Sequence, residues 1–235
     1  MIPLNYIILN VLILLFPLIF SFKWKFKYYK FFKPLAASIA IVGISYIIWD
    51  VIVTYRGDWW FDKKFLIGIE ILGLPLEEIL FFILVPFSCI FIYENLVYFL
   101  KEKKIFYNKI LYLIIAGIFI VMGIIFRNQE YTILAMFSCA LFFILAPTLY
   151  PKILANRNYW LYIILSFIPF MIFNYFLTSL IIVHYNPIAI WGIRITTIPL
   201  EDFFYNFSML SFYLMVYMYF KERWIISKNI KKEKQ

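Results

Sequence analysis

GIEILGLPLEE, from Gly68 to Glu78, returns 124 positions later as GIRITTIPLED, from Gly192 to Asp202. Each copy ends in a pair of acids, Glu77-Glu78 and Glu201-Asp202, and each leads into a long apolar run. Carboxylates are costly near hydrocarbon, so a duplicated pair in an apolar chain marks a site. The same offset sets Asp50 on Asn174 and Thr54 on Thr178. Several matches in one register identify an internal duplication.

The setting of these motifs is a membrane. The 235 residues are 65% hydrophobic, with a mean hydropathy of +0.89, which excludes an ordinary soluble domain. Seven stretches, roughly 1–21, 34–54, 76–99, 107–126, 131–150, 159–183 and 199–220, approach the ~20 residues that a ~30 Å hydrocarbon core requires. Proline occurs inside several of them (Pro17, Pro86, Pro147, Pro169), which a helix bundle tolerates. No segment between spans is large enough to fold alone. The expected fold is therefore an all-α polytopic membrane protein, with residues 1–235 as one integral membrane domain.

The net charge of +9 reports topology, with attraction to anionic lipid besides, and does not indicate a nucleic-acid partner. Sorted by alternate loops, one side carries five Lys in 22–33, four in 101–109, Lys152, Arg157 and six basic residues after 220. The other carries Arg56, Lys63, Lys64, Arg127 and Arg194. A cell-membrane protein with its N-terminus outside and its C-terminus in the cytoplasm follows from the positive-inside rule. The first span has its lysines after it, the wrong polarity for a cleaved signal, and is expected to be retained. Cys89 and Cys139 lack metal-ligand spacing, and His184 stands alone, so no metal site is expected. No GxGxxG, P-loop or HExxH is present to hold a cofactor.

Adding 124 to the second span gives the sixth, and to the third, the seventh; the first falls loosely on the fifth. Two parallel three-helix repeats (about 1–100 and 131–220) joined by a linker helix (about 107–126), with a basic tail at 221–235, account for all of it. Parallel repeats place both acid motifs at one depth. Pro75 and Pro199 suit the first position of a helix, which puts Glu77, Glu78, Glu201 and Asp202 in first turns. Consecutive helical residues point about 100° apart, so one acid of each pair can face a cavity while its neighbour faces another element. The helix macrodipole also favours acids at such positions; the duplication is what favours a site.

Supporting roles are expected for Asp50 and Asn174, which lie where they can hydrogen-bond the acids or pack between helices. Arg194 is either a counter-ion to the acids or a cross-repeat partner of Glu70. Glu94, some 24 Å of helix rise beyond Glu78, is expected at the cytoplasmic interface beside Lys101. Of the aromatic residues, 23% of the chain, Trp24, Trp59, Trp60, Trp160 and Trp224 suit interface belts by position. The rest suit a hydrocarbon cavity whose ring faces stabilise cations.

In context the motifs read WDVIVTYRGDWWF and GIEILGLPLEEILFFILVPFSCIFIYE between Trp49 and Glu94, and NYFLTSLIIVHYNP and GIRITTIPLEDFFYNF between Asn174 and Phe207. These resemble the small membrane-bound, non-flavin lycopene cyclases, found as two subunits or as one fused chain. The resemblance covers nearly the whole chain, with Ser179 departing from the usual glycine after threonine. It implies cyclisation of the linear ends of lycopene, through a monocyclic intermediate, to β-carotene. Carboxyl groups would protonate a terminal double bond, stabilise the tertiary cation and accept a different proton. Glu77, Glu78, Glu201 and Asp202 are the expected catalytic residues: Glu77 and Glu201, repeated strictly as Glu, are expected to matter most, and Glu78 and Asp202 less where they orient or charge-balance their neighbours. Lycopene would come from the bilayer, no phytoene synthase domain is expected, and the oligomeric state is left open. The alternatives are a related enzyme that adds water to the same cation and a seven-helix transporter or receptor. Residues 203–220 contain no lysine for a retinal Schiff base.

Overall fold

The computed structural model describes residues 5–23, 25 and 27–233, with side chains to residue 225. Residues 1–4 of the first expected span, and Trp24 of the expected belts, lie outside it. The described residues form seven helices: α1 Asn5–Lys23, α2 Tyr28–Arg56, α3 Leu76–Phe99, α4 Lys109–Ile125, α5 Glu130–Leu149, α6 Arg157–Ser179 and α7 Leu200–Glu233. Local chemistry sets several of their ends. Asn108 and Asn156 cap α4 and α6 by accepting from backbone N–H groups, as capping residues do. Gly57, at φ 80, closes α2, and its repeat equivalent Ile181 takes a φ of 58. Pro75 and Pro199 stand one residue before α3 and α7, as the last residues of short strands, not at the first helical position.

Five helices, α1, α2, α3, α5 and α6, are long and apolar enough to cross a membrane, where seven such stretches were expected. The other two differ for separate reasons. Helix α4 is apolar but has 17 residues. Helix α7 carries buried polar groups because it lies in the middle of the bundle, where neighbours satisfy them. Ser208 meets Tyr46 and Ser138, Ser211 meets Tyr159, and the Tyr213 hydroxyl donates to the Phe82 carbonyl at 2.7 Å. It also continues through the expected tail to Glu233.

Helix contacts repeat with the sequence. Helix α1 packs on α3 as α5 packs on α7, and α2 packs on α7 as α6 packs on α3. The second helix of each repeat thus leans on the third helix of the other. Gly43 makes the close approach of α2 to α7 possible: a Cβ there would come within 3.1 Å of the Tyr213 hydroxyl, the usual role of small residues between membrane helices. Helix α4 has no counterpart and lies against α5.

Short strands, which an all-α expectation lacked, close the end of the bundle where α3 and α7 begin. They are β1 Trp59–Phe61, β2 Glu70–Ile71, β3 Leu74–Pro75, β4 Val183–Tyr185, β5 Arg194–Ile195 and β6 Ile198–Pro199. The β2–β3 and β5–β6 hairpins pair in the same register, Glu70 with Pro75 and Arg194 with Pro199. Strands β1 and β4 are themselves repeat equivalents, and they pair antiparallel with Trp60 opposite His184. Those two residues are separated by the repeat offset, so a local twofold axis passes between them. Backbone pairing ties the repeats together on that axis, and the indole and imidazole stack at 5.3 Å.

Candidate active site

The hairpins fix the first acid of each motif. The Leu76 N–H donates to the Ile69 carbonyl at 2.9 Å, and the Leu200 N–H to the Ile193 carbonyl at 3.0 Å. Each hairpin is thereby folded back over the start of its helix. The Glu77 carboxylate then accepts from the Ile67 N–H at 2.6 Å, and Glu201 from the Trp191 N–H at 2.5 Å. Thr132 adds a hydroxyl to Glu201 at 2.7 Å, and the Asn10 side chain donates to the Glu77 carbonyl at 2.8 Å. Both acids are fully buried. In this geometry each of the two holds a loop amide.

One residue on, the second acids turn the other way. Glu78 and Asp202 both line a chamber of about 70 Å³ that straddles the two repeats. Its walls include the equivalent pairs Phe61 with Tyr185 and Phe81 with Tyr205, together with Trp59 and Tyr131. The Tyr6 hydroxyl donates to Glu78. Asp202 accepts from Tyr131 at 2.6 Å and from Tyr185 at 2.7 Å, one phenol on each carboxylate oxygen. Burial, with Asp202 beside it, holds the Tyr185 phenol well above its ordinary pKa, so it keeps its proton and remains a donor. Hydrogen bonds to a carboxylate are among the stronger ones and set its orientation. Each repeat supplies one acid and at least one tyrosine to a single space.

The supporting residues are placed differently from expectation. Asp50 is buried and accepts from Trp59 Nε1 at 2.9 Å, so it fixes a wall of the chamber and does not bond to an acid. Trp59 accordingly turns inward and belongs to no interface belt. Asn174 lines the chamber. Arg194 does not pair with Glu70, which pairs with Lys63 at 3.3 Å; its guanidinium donates to the Thr197 carbonyl at 2.6 Å and lies over the ring of Tyr185, the phenol that holds Asp202, so its charge stands beside that acid's hydrogen-bond partner. Glu94 is buried, and its ion-pair partner is Lys221 and not Lys101: it accepts from Tyr217 at 2.8 Å and from Lys221 at 2.5 Å, since α7 continues far enough to bring Lys221 to it.

Tyr6, Tyr131 and Tyr185 escaped the sequence reading. Tyr6 and Tyr131 hold corresponding places at the starts of α1 and α5, but 125 positions apart, so the single-register alignment passes between them. Tyr185 falls on Phe61 in the repeat, a match of shape without the hydroxyl.

A duplicated helical membrane protein with both acid motifs at one buried chamber is the class these observations define. The family model described as Lycopene cyclase matches the chain twice, over residues 4–96 and 128–220. The chain belongs to the lycopene cyclase family, and its function is that of a lycopene cyclase in carotenoid biosynthesis. No curated protein and no solved structure matches it.

Proposed function

We propose that the chain is a lycopene β-cyclase, an isomerase that closes the acyclic ends of lycopene to β-ionone rings by way of γ-carotene. The observation that carries this reading is that Glu78 and Asp202, one from each repeat, line a single aromatic-walled chamber. Glu78, with one phenol donor, acts as the acid and gives its proton to the terminal double bond. The resulting tertiary cation is attacked by the π electrons of the neighbouring double bond, and the ring bond forms. Asp202, oriented by two phenols, stabilises the cation and takes a proton from the new ring carbon, leaving the ring double bond. Return of that proton to Glu78 resets the enzyme, and no electrons are gained or lost. The faces of Tyr205, Trp59 and Phe81 stabilise positive charge during closure. Glu77 and Glu201 act as positioning residues through the loops they clamp.

Seven crossings, as two parallel three-helix repeats and a linker helix, complete the proposal, with the chamber toward the outer face. The gathering of the basic segments at the opposite end supports this topology. Arg157 donates to the Lys101 carbonyl, Lys152 pairs with Glu222, and Lys33 lies over the Trp224 ring. The chain, produced in a bacterium that accumulates lycopene, should convert the pigment to β-carotene, read by chromatography. Lycopene alone, with the protein in the membrane, would overturn the reading.

A further inference from the structure

The acid chamber adjoins an apolar cavity of about 460 Å³. Phe81, Phe170, Asn174, Leu177 and Asn206 line both spaces. The floor of the cavity is α3 from Phe81 to Asn95, and its walls are α1 and α6. That length of helix rises roughly 21 Å. Leu12 and Phe16, on the α1 wall, are 53% and 58% exposed. The groove therefore opens sideways, onto surface that lipid covers. Of the polar groups that line it, Ser88 donates to the Ile13 carbonyl at 2.9 Å and Asn95 to the Phe91 carbonyl at 2.8 Å, while the buried Asn206 Nδ2, at the chamber end, has no hydrogen-bond partner among the described residues. A long apolar cleft that is open to lipid and ends at acids fits a hydrocarbon chain whose tip reacts.

We infer that this groove seats the unreacted part of the linear polyene, that the substrate slides in end-first from the bilayer between α1 and α6, and that each ring is made in a separate visit. The inference rests on the cyclase reading above. Both copies of the acid motif serve one chamber, so no duplicated acid pair remains to build a second. An extended forty-carbon polyene is about as long as the ~30 Å hydrocarbon core is thick, and it outruns a groove of roughly 21 Å. The far end stays in lipid while the near end cyclises. To bring that end to Glu78 and Asp202, the monocyclic product must back out and return reversed.

Ile92 and Ile13 line the groove from α3 and α1, and neither lines the acid chamber. Ile92→Trp, with Ile13→Trp as a second filling variant, is compared with wild type in membranes at matched abundance. The substrates are lycopene and a truncated acyclic polyene that has one such end group and is too short to reach from Glu78 to Ile92, roughly 21 Å of helix rise. Filling the groove should lower lycopene conversion at least ~10-fold, within the range that pocket shape discriminates, and leave the truncated polyene unaffected. Equal effects on the two substrates in both variants would overturn the groove assignment. A wild type that converts neither substrate strikes the cyclase reading itself. For separate visits, isotope-labelled monocyclic polyene added during turnover of unlabelled lycopene should appear in the bicyclic product; its exclusion would overturn release between rings.

Discussion

Glu77 and Glu78 differ by one position and about 100° of helix, and that rotation separates a loop clamp from a chamber wall. The duplication made all four acids legible in the sequence, and the helical rotation made the division of each pair legible too. Which member faces inward was not legible, because it depends on where the Ile67 and Trp191 amides lie, and those follow from hairpins that periodicity does not announce. The proposed mechanism reverses the expected order and puts Glu78 and Asp202 before Glu77 and Glu201. Glu78→Gln should leave lycopene unconsumed, a loss of at least ~10²-fold, the low end for a general acid. Asp202→Asn should lower β-ring formation as far, yet still permit protonation, so products with a displaced double bond or an added hydroxyl should appear by chromatography. Glu77→Gln and Glu201→Gln should act first on folding, since each weakens a charge-assisted bond to a backbone amide worth about 1.5–3 kcal/mol. Thermal unfolding in detergent would show that loss, with turnover per folded molecule reduced less than in Glu78→Gln. Full β-carotene output from both Glu78→Gln and Asp202→Asn would remove the catalytic assignment.

At the scale of elements, the apolar runs of the spans were readable because hydrocarbon demands them, and α3 begins within a residue of its expected start. The hairpins were not readable, since each is a pair of two-residue strands held by the start of the following helix. Their one signal was the repeated glycine. Gly68 and Gly192 have φ of 87 and 80, and Leu72 and Thr196 also take positive values, 56 and 58. A Cβ on Gly192 meets nothing within 4 Å, so Gly192→Ala tests backbone strain alone. It should cost about 1–2 kcal/mol and loosen the Trp191 amide from Glu201. Thr196→Gly should shift the unfolding midpoint the opposite way, because glycine adopts that conformation without steric penalty. A common direction of shift for the two variants would mean that side-chain contacts outweigh backbone strain in the hairpins.

For the whole molecule, charge and contact geometry bear on orientation independently. Of the 22 basic residues, most fall in the segments that join α1 to α2, α3 to α4 and α5 to α6, and after the membrane part of α7. Contacts among Lys33, Lys101, Lys152, Arg157, Lys221 and Trp224 or their neighbours draw those segments to one end. The chamber and hairpins occupy the other, with α1 and α5 both starting there. In the proposed topology the basic end is cytoplasmic, as the positive-inside rule implies. Reporter fusions at residues 30, 105 and 230 should then all read cytoplasmic, and one in the β5–β6 turn should read outside. The placement matters for mechanism as well as for orientation. If the fusions read the reverse way, the repeats and chamber stand, but the acids would face the cytoplasmic leaflet. A split result, with residue 30 on one side and residue 105 on the other, would break the parallel relation of the repeats. It would also break the pairing of Trp59–Phe61 with Val183–Tyr185 across the twofold axis, since those strands could no longer meet at one depth.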